Sequence, residues 1–147
     1  MRKKVLIIIS CILFMMIIAL VGWFVFARQI NEKEQNSEEQ VFFCNQKDAK
    51  KAMLIYQGSN TVFSRDVAKS IAINLSENGY DVVMNHPGSY LPADLSEYDL
   101  VVFGSPIYMA SISTVIEKYI NRVESFGNAI VVFIVQECWI PQKNLRL

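Results

Sequence analysis

The sequence predicts an α/β protein: a parallel sheet covered by helices on both faces, preceded by one membrane-spanning helix. Three observations carry this. Residues 5–26 form a run of 22 residues without a charge. Beyond residue 50, short apolar runs and segments of helical spacing follow one another as strand, helix, strand, strand, helix, strand. That order builds parallel strands joined by right-handed crossovers. Finally, the strand segments are continuously apolar, as expected of a sheet buried on both sides.

The composition narrows the function classes. The chain has 147 residues, 14 Lys+Arg against 14 Asp+Glu, and 52% hydrophobic residues. This length suits one domain. The hydrophobic fraction excludes a mostly disordered chain. From residue 50 onward there are eight Lys+Arg and nine Asp+Glu, so no basic patch supports nucleic-acid binding. With one His (His86) and three Cys, a His/Cys zinc enzyme is close to excluded. No G-x-S-x-G nucleophile elbow precedes a helix.

The apolar run Val5–Phe26 would span about 33 Å as a helix, enough for a hydrocarbon core of about 30 Å. A helix also satisfies its own backbone in lipid. Arg2, Lys3 and Lys4 precede the run, and Trp23, Phe24 and Phe26 crowd its far end, where aromatic rings favour the interface. Basic residues before the span hold the N-terminus in the cytoplasm and the rest of the chain outside. The sequence therefore reads as a single-pass anchor through residues 5–26. The alternative is a signal peptide cut near Val25-Phe26-Ala27, which would release a secreted domain, although the run exceeds the usual apolar length. Cys11 follows Ile-Ile-Ser but lies too early in the run for a lipoprotein box. A buried core helix would not need 22 uncharged residues.

The expected domains are 1–27, cytoplasmic start and transmembrane helix; 28–50, polar linker; and 51–147, the α/β domain. The linker reads as a helical stalk or as disorder, with Val41-Phe42-Phe43 docking on the domain or on the membrane. In the domain, Ala52–Tyr56 is the first strand. Ser64–Asn78 follows as a helix with apolar residues at 67, 68, 71, 72 and 75, Ser64 as its N-cap and Gly79 as its stop. Residues 80–84 and 99–103 are the next two strands. Residues 111–126 are an amphipathic helix stopped by Gly127, and 129–135 the last strand. His86, beside Pro87, reads as a solvated loop residue. Asp81, Asp94, Glu97 and Asp99 read as solvated or capping. Cys44 and Cys138 form no framework pattern and read as free or unrelated thiols, with pairing open if the domain lies outside the cytoplasm.

Ligands of such sheets bind beyond the carboxyl ends of the strands, so two turns matter. In Gln57-Gly-Ser-Asn-Thr-Val-Phe-Ser64, the hydroxyls of Ser59, Thr61 and Ser64 at a helix start suit a phosphate dianion. Ordinary turn and cap chemistry explains the same residues. In Phe103-Gly-Ser-Pro-Ile-Tyr-Met109, Tyr108 either stacks on a flat ring or covers the sheet edge.

Residues 53–135 resemble the flavodoxin-like family, in particular its FMN-binding domain. The likeness rests on Leu54 to Lys69, on Asn78-Gly-Tyr-Asp-Val-Val83, and above all on Leu95-Ser-Glu-Tyr-Asp-Leu-Val-Val-Phe-Gly-Ser-Pro-Ile-Tyr108. It implies a three-layer sandwich with about four parallel strands in the order 2-1-3-4. It also implies FMN as cofactor: Ser59, Thr61 and Ser64 around the phosphate, and Ser105, Pro106 and Tyr108 in the loop beside the flavin. Electron transfer with a redox partner would follow. Position 62, usually Gly in the family, is Val here, which narrows the conformations open to the cradle. Ala110 replaces another family Gly. Only twelve residues follow Val135, whereas the family has a fifth strand and two further helices. The chain thus reads as C-terminally truncated, with an exposed apolar edge strand able to pair with another chain. Trp139 aligns with nothing. The alternative function is a flavin-free binding module or an inactive fragment. A response-regulator receiver needs Asp at the third strand end and acidic residues after the first; Phe103-Gly104 and Tyr56-Gln57 stand there.

Overall fold

The computed structural model describes residues 2–31, 33–59, 62–108, 111–126 and 129–136. The expectations for Thr61, Ala110, Gly127, Cys138 and Trp139 lie outside them, and of Tyr108 only the backbone is described. The chain divides into two compact units, Met1–Lys33 and Glu34–Leu147.

The first unit is the helix α1 (Arg2–Asn31). Its stretch Lys4–Phe26 is long and apolar enough to cross a membrane and carries no buried side chain. That is compatible with an anchor or with a signal sequence. The helix also takes in residues 28–31, the start of the expected linker.

The second unit is a mixed α/β layer structure: β1 (Gln40–Phe42), β2 (Lys50–Tyr56), α2 (Phe63–Glu77), β3 (Tyr80–Asn85), β4 (Leu100–Tyr108), β5 (Ser111–Ile112), α3 (Thr114–Arg122) and β6 (Ala129–Val135). Four strands are parallel neighbours in the order β3-β2-β4-β6. The sheet is nonetheless six-stranded and mixed, not purely parallel. The strand β1 pairs antiparallel with the outer edge of β3, and β5 folds back antiparallel on the end of β4. Both additions are two or three residues long, too short to show a period of their own.

Side chains of successive strand residues point to opposite faces, and the core divides accordingly. Ala52, Leu54, Tyr56, Val82, Met84 and Val102 meet Ala68 and Ala72 of α2 on one face. On the other, Met53, Ile55, Val101 and Phe103 meet Ile116 and Tyr119 of α3. Alanines at 68 and 72 keep the buried stripe of α2 shallow, so the helix sits close to the sheet. Past the helix, Gly79 takes φ +95°, the left-handed conformation that stops a helix cheaply only with glycine. The helix begins one residue earlier than expected. Val62 is its N-cap and no side chain caps it, while Ser64 lies inside the first turn. The second helix is shorter than the expected 111–126. It starts after Ser113, whose Oγ accepts from Val115 N–H at 3.2 Å, and ends where Val123 becomes extended (φ −67°, ψ 122°).

The strand β4 runs five residues beyond the expected end at Phe103. Ser105 and Pro106 still register with Ile134 and Val135 of β6. Pro106 lacks an N–H, and it falls past the last β2 pairing at Gly104, where that edge needs no donor.

Candidate functional site

From β2 the chain crosses to β3 on one side and returns to β4 on the other. The strand order therefore reverses between β2 and β4, the place where open α/β sheets bind ligands. The two turns of interest start there side by side. Tyr56 registers with Gly104, and Gln57 N–H donates to Gly104 O at 2.9 Å. A Cβ on Gly104 would run into the Phe133 ring, so any larger residue here would force that ring to move.

Ser59 is half-buried in the first turn. Ser64 is 2% exposed, and its Oγ has no hydrogen-bond partner among the described residues. Leaving a buried hydroxyl unsatisfied costs about 1–3 kcal/mol. It lies in the first turn of a helix that lacks a side-chain cap, where the positive end of the helix dipole favours an anion. Val62 has φ −73° and ψ −7°, a conformation open to any residue, and its side chain is exposed. Glycine's freedom is not needed at position 62.

The second turn is built differently. Ser105 is buried; its Oγ accepts from Ser113 N–H at 2.9 Å and donates to Pro106 O at 3.0 Å. Alternation along β4 puts Ser105 on the face of Val101 and Phe103, the α3 side, whereas Ser64 belongs to the α2 side. The hydroxyls of Ser64 and Ser105 therefore do not share a face. Ser105 instead ties the end of β4 to the start of α3, across the hairpin in which Tyr108 registers with Ser111. Pro106 is buried within β4.

Several residues at the same rim escape the sequence reading. His86 is not solvated: it is 6% exposed, with Nδ1 at 3.0 Å from Tyr56 O and its ring 4.6 Å from the Tyr56 ring. A carbonyl accepts only, so Nδ1 carries the proton. Its Nε2 stands 3.6 Å from Glu38 Oε2. Asn85 is buried beside it, and its Oδ1 accepts from His86 N–H at 2.8 Å and Glu38 N–H at 2.9 Å. Residues 34–38 follow this rim as a strap. Glu34 Oε1 accepts from Ser89 N–H at 2.7 Å, Gln35 Nε2 donates to Gly58 O at 3.3 Å, and Tyr90 Oη donates to His86 O at 2.9 Å.

Burial, with a smaller push from Glu38 and an opposing pull from Arg65, raises the Tyr56 phenol to about 12. Burial, then Glu34, raises Tyr90 as well. Both phenols stay neutral donors at neutral pH. Among the described residues no group of three or more His, Cys, Asp or Glu is placed to hold a metal ion. Compared with protein-family models and with curated proteins, the chain matches none.

Proposed function

We propose that this chain is a flavodoxin-like, membrane-anchored protein that binds FMN at the reversal between β2 and β4 and takes part in electron transfer. One observation carries the reading: a buried hydroxyl with no partner among the described residues, Ser64 Oγ, in the uncapped first turn of α2. A phosphate dianion is the ligand class such a turn stabilises best. The strand order supports it, because it brings the turn after β2 against the turn after β4.

Ser59, Thr61 and Ser64 would hold the phosphate. Ser105 and Pro106 act by fixing the loop that carries Tyr108, the aromatic residue for the ring. When bound, FMN supplies the redox chemistry, and the protein binds it and sets its surroundings. The apolar stretch of α1 supports a single-pass anchor, with Arg2, Lys3 and Lys4 holding the N-terminus in the cytoplasm and the domain outside. A cleaved signal sequence would release the same domain.

The second reading, a flavin-free binding module, is favoured by Ser105, whose hydroxyl is already engaged on the α3 side. Titration decides between them. Full-length protein in detergent is added to FMN and, separately, to riboflavin, which lacks the phosphate. Saturable fluorescence quenching with FMN and weaker quenching with riboflavin support the nucleotide site. No quenching with either leaves the flavin-free module.

A further inference from the structure

We infer that the strap of residues 34–38 is a pH-dependent latch on the rim at the ends of β2 and β3, closed by a charge pair between His86 and Glu38 and loosened as His86 loses its proton. The strap is built to open on its own. Residues 34–39 read Glu-Gln-Asn-Ser-Glu-Glu, without one apolar side chain, so no hydrophobic burial holds the segment down. Polar contacts seat it. Glu34 Oε1 accepts from the Ser89 hydroxyl at 3.1 Å, and Gln35 Nε2 donates to Gly58 O. Asn85 Nδ2 donates to Ser37 Oγ at 3.0 Å, while its Oδ1 accepts from Glu38 N–H. A segment with few buried apolar contacts opens locally at low free energy. Its C-terminal end stays fixed, because Gln40–Phe42 pairs with β3 and Phe42 packs on the core.

His86 gives this seat its pH dependence. It is the chain's single histidine, and imidazole changes charge between about pH 5 and pH 8. The ring is held from behind by the bond from Nδ1 to Tyr56 O and by the Tyr56 ring. That directs Nε2 at Glu38 Oε2, 3.6 Å away. In the neutral ring Nε2 carries a lone pair, which gains nothing from facing a carboxylate. In the imidazolium both nitrogens donate, and both then face acceptors, a carbonyl and a carboxylate. The second proton is therefore held better with the strap down than with it lifted. By linkage, closure strengthens as pH falls through the imidazole range and weakens as pH rises through it.

The other groups around the ring do not reverse this sign. The phenols of Tyr56 on β2 and Tyr90 in the loop after β3 are raised by burial and stay neutral. Arg65 of α2 opposes a second cation, but at Tyr56 its effect is smaller than that of Glu38. Glu34, which acts on Tyr90, adds a further negative charge on the strap. Closed, the strap ties the turn after β2 at Gly58 to the loop after β3 at Ser89. The inference does not depend on flavin binding.

Hydrogen exchange read by mass spectrometry tests it on full-length protein in detergent. Rates are compared at about pH 5.5 and about pH 8, either side of the imidazole midpoint, after correction for the intrinsic pH dependence of exchange. Residues 34–38 are expected to be about two- to fivefold better protected at the lower pH, the factor a part-exposed charge pair supplies. Protection of α2 is expected to stay the same. Glu38→Gln, at an exposed side chain, keeps the backbone bond to Asn85 and the length of the side chain but not its charge. It is expected to give equal strap protection at both pH values. Equal or weaker protection of the wild-type strap at the lower pH, a pH dependence retained in Glu38→Gln, or an equal change in α2, which would mark a global loss of stability, would each overturn the inference.

Discussion

Replacing Ser64 with Ala should change apo stability and ligand affinity in opposite directions. In the apo protein, the Ser64 hydroxyl is buried and has no partner among the described residues. Removing an unsatisfied buried hydroxyl recovers part of a penalty of about 1–3 kcal/mol. The Ser64→Ala domain should therefore be more stable than wild type by about 1 kcal/mol, or a midpoint rise of about 4–8 °C for a domain of this size. On the proposed reading the same hydroxyl would donate to a phosphate oxygen of FMN, and losing such a bond to a charged group costs about 1.5–3 kcal/mol. At 1.4 kcal/mol per tenfold, affinity should fall by about 10- to 150-fold. Urea unfolding followed by circular dichroism reads the first effect, and FMN fluorescence titration reads the second. A variant that merely loosened the packing of α2 would lose both stability and affinity. Destabilisation of the apo protein by about 1 kcal/mol or more, the net worth of a typical hydrogen bond, would show that the hydroxyl is satisfied. An unchanged FMN affinity would remove Ser64 from the site.

Three further outcomes follow from the geometry. Asn85→Leu leaves Glu38 N–H and His86 N–H without their acceptor. It should destabilise the domain by about 2–4 kcal/mol and raise hydrogen exchange in residues 34–38, read by mass spectrometry. Gly79→Ala forces a Cβ into φ +95° and should cost about 1 kcal/mol or more in urea unfolding. Asp94 is held down at about 2, first by its hydrogen bond from Ser125 Oγ and then by Ser96 N–H. A carboxyl lowered on folding contributes stability above its unfolded value of 3.8, which is lost as pH falls toward 2. The stability gap between wild type and Asp94→Asn should therefore be full at neutral pH and close between about pH 4 and pH 2.

Features that rest on neighbours along the chain were legible in the residues. The spacing of Val67, Ala68, Ile71 and Ala72 marked α2, and Gly79 its stop. The continuous apolar runs marked the four parallel strands, and the uncharged stretch 5–26 marked α1. Local sterics and apolar periodicity act within a few residues, so one stretch of sequence carries their whole signal. The features that went unread depend on partners far apart in the chain. β1 exists because Gln40–Phe42 meets β3 some 40 residues later. His86 is buried because Tyr56 O and the strap at Glu38 surround it. Ser64 and Ser105 look alike in the sequence, two serines in the segments that follow strands. They end on opposite faces because one follows the helix packed on the α2 side and the other follows the alternation of β4. Pairing and burial of this kind are decided by which surfaces the closed sheet brings together, and no local pattern encodes them.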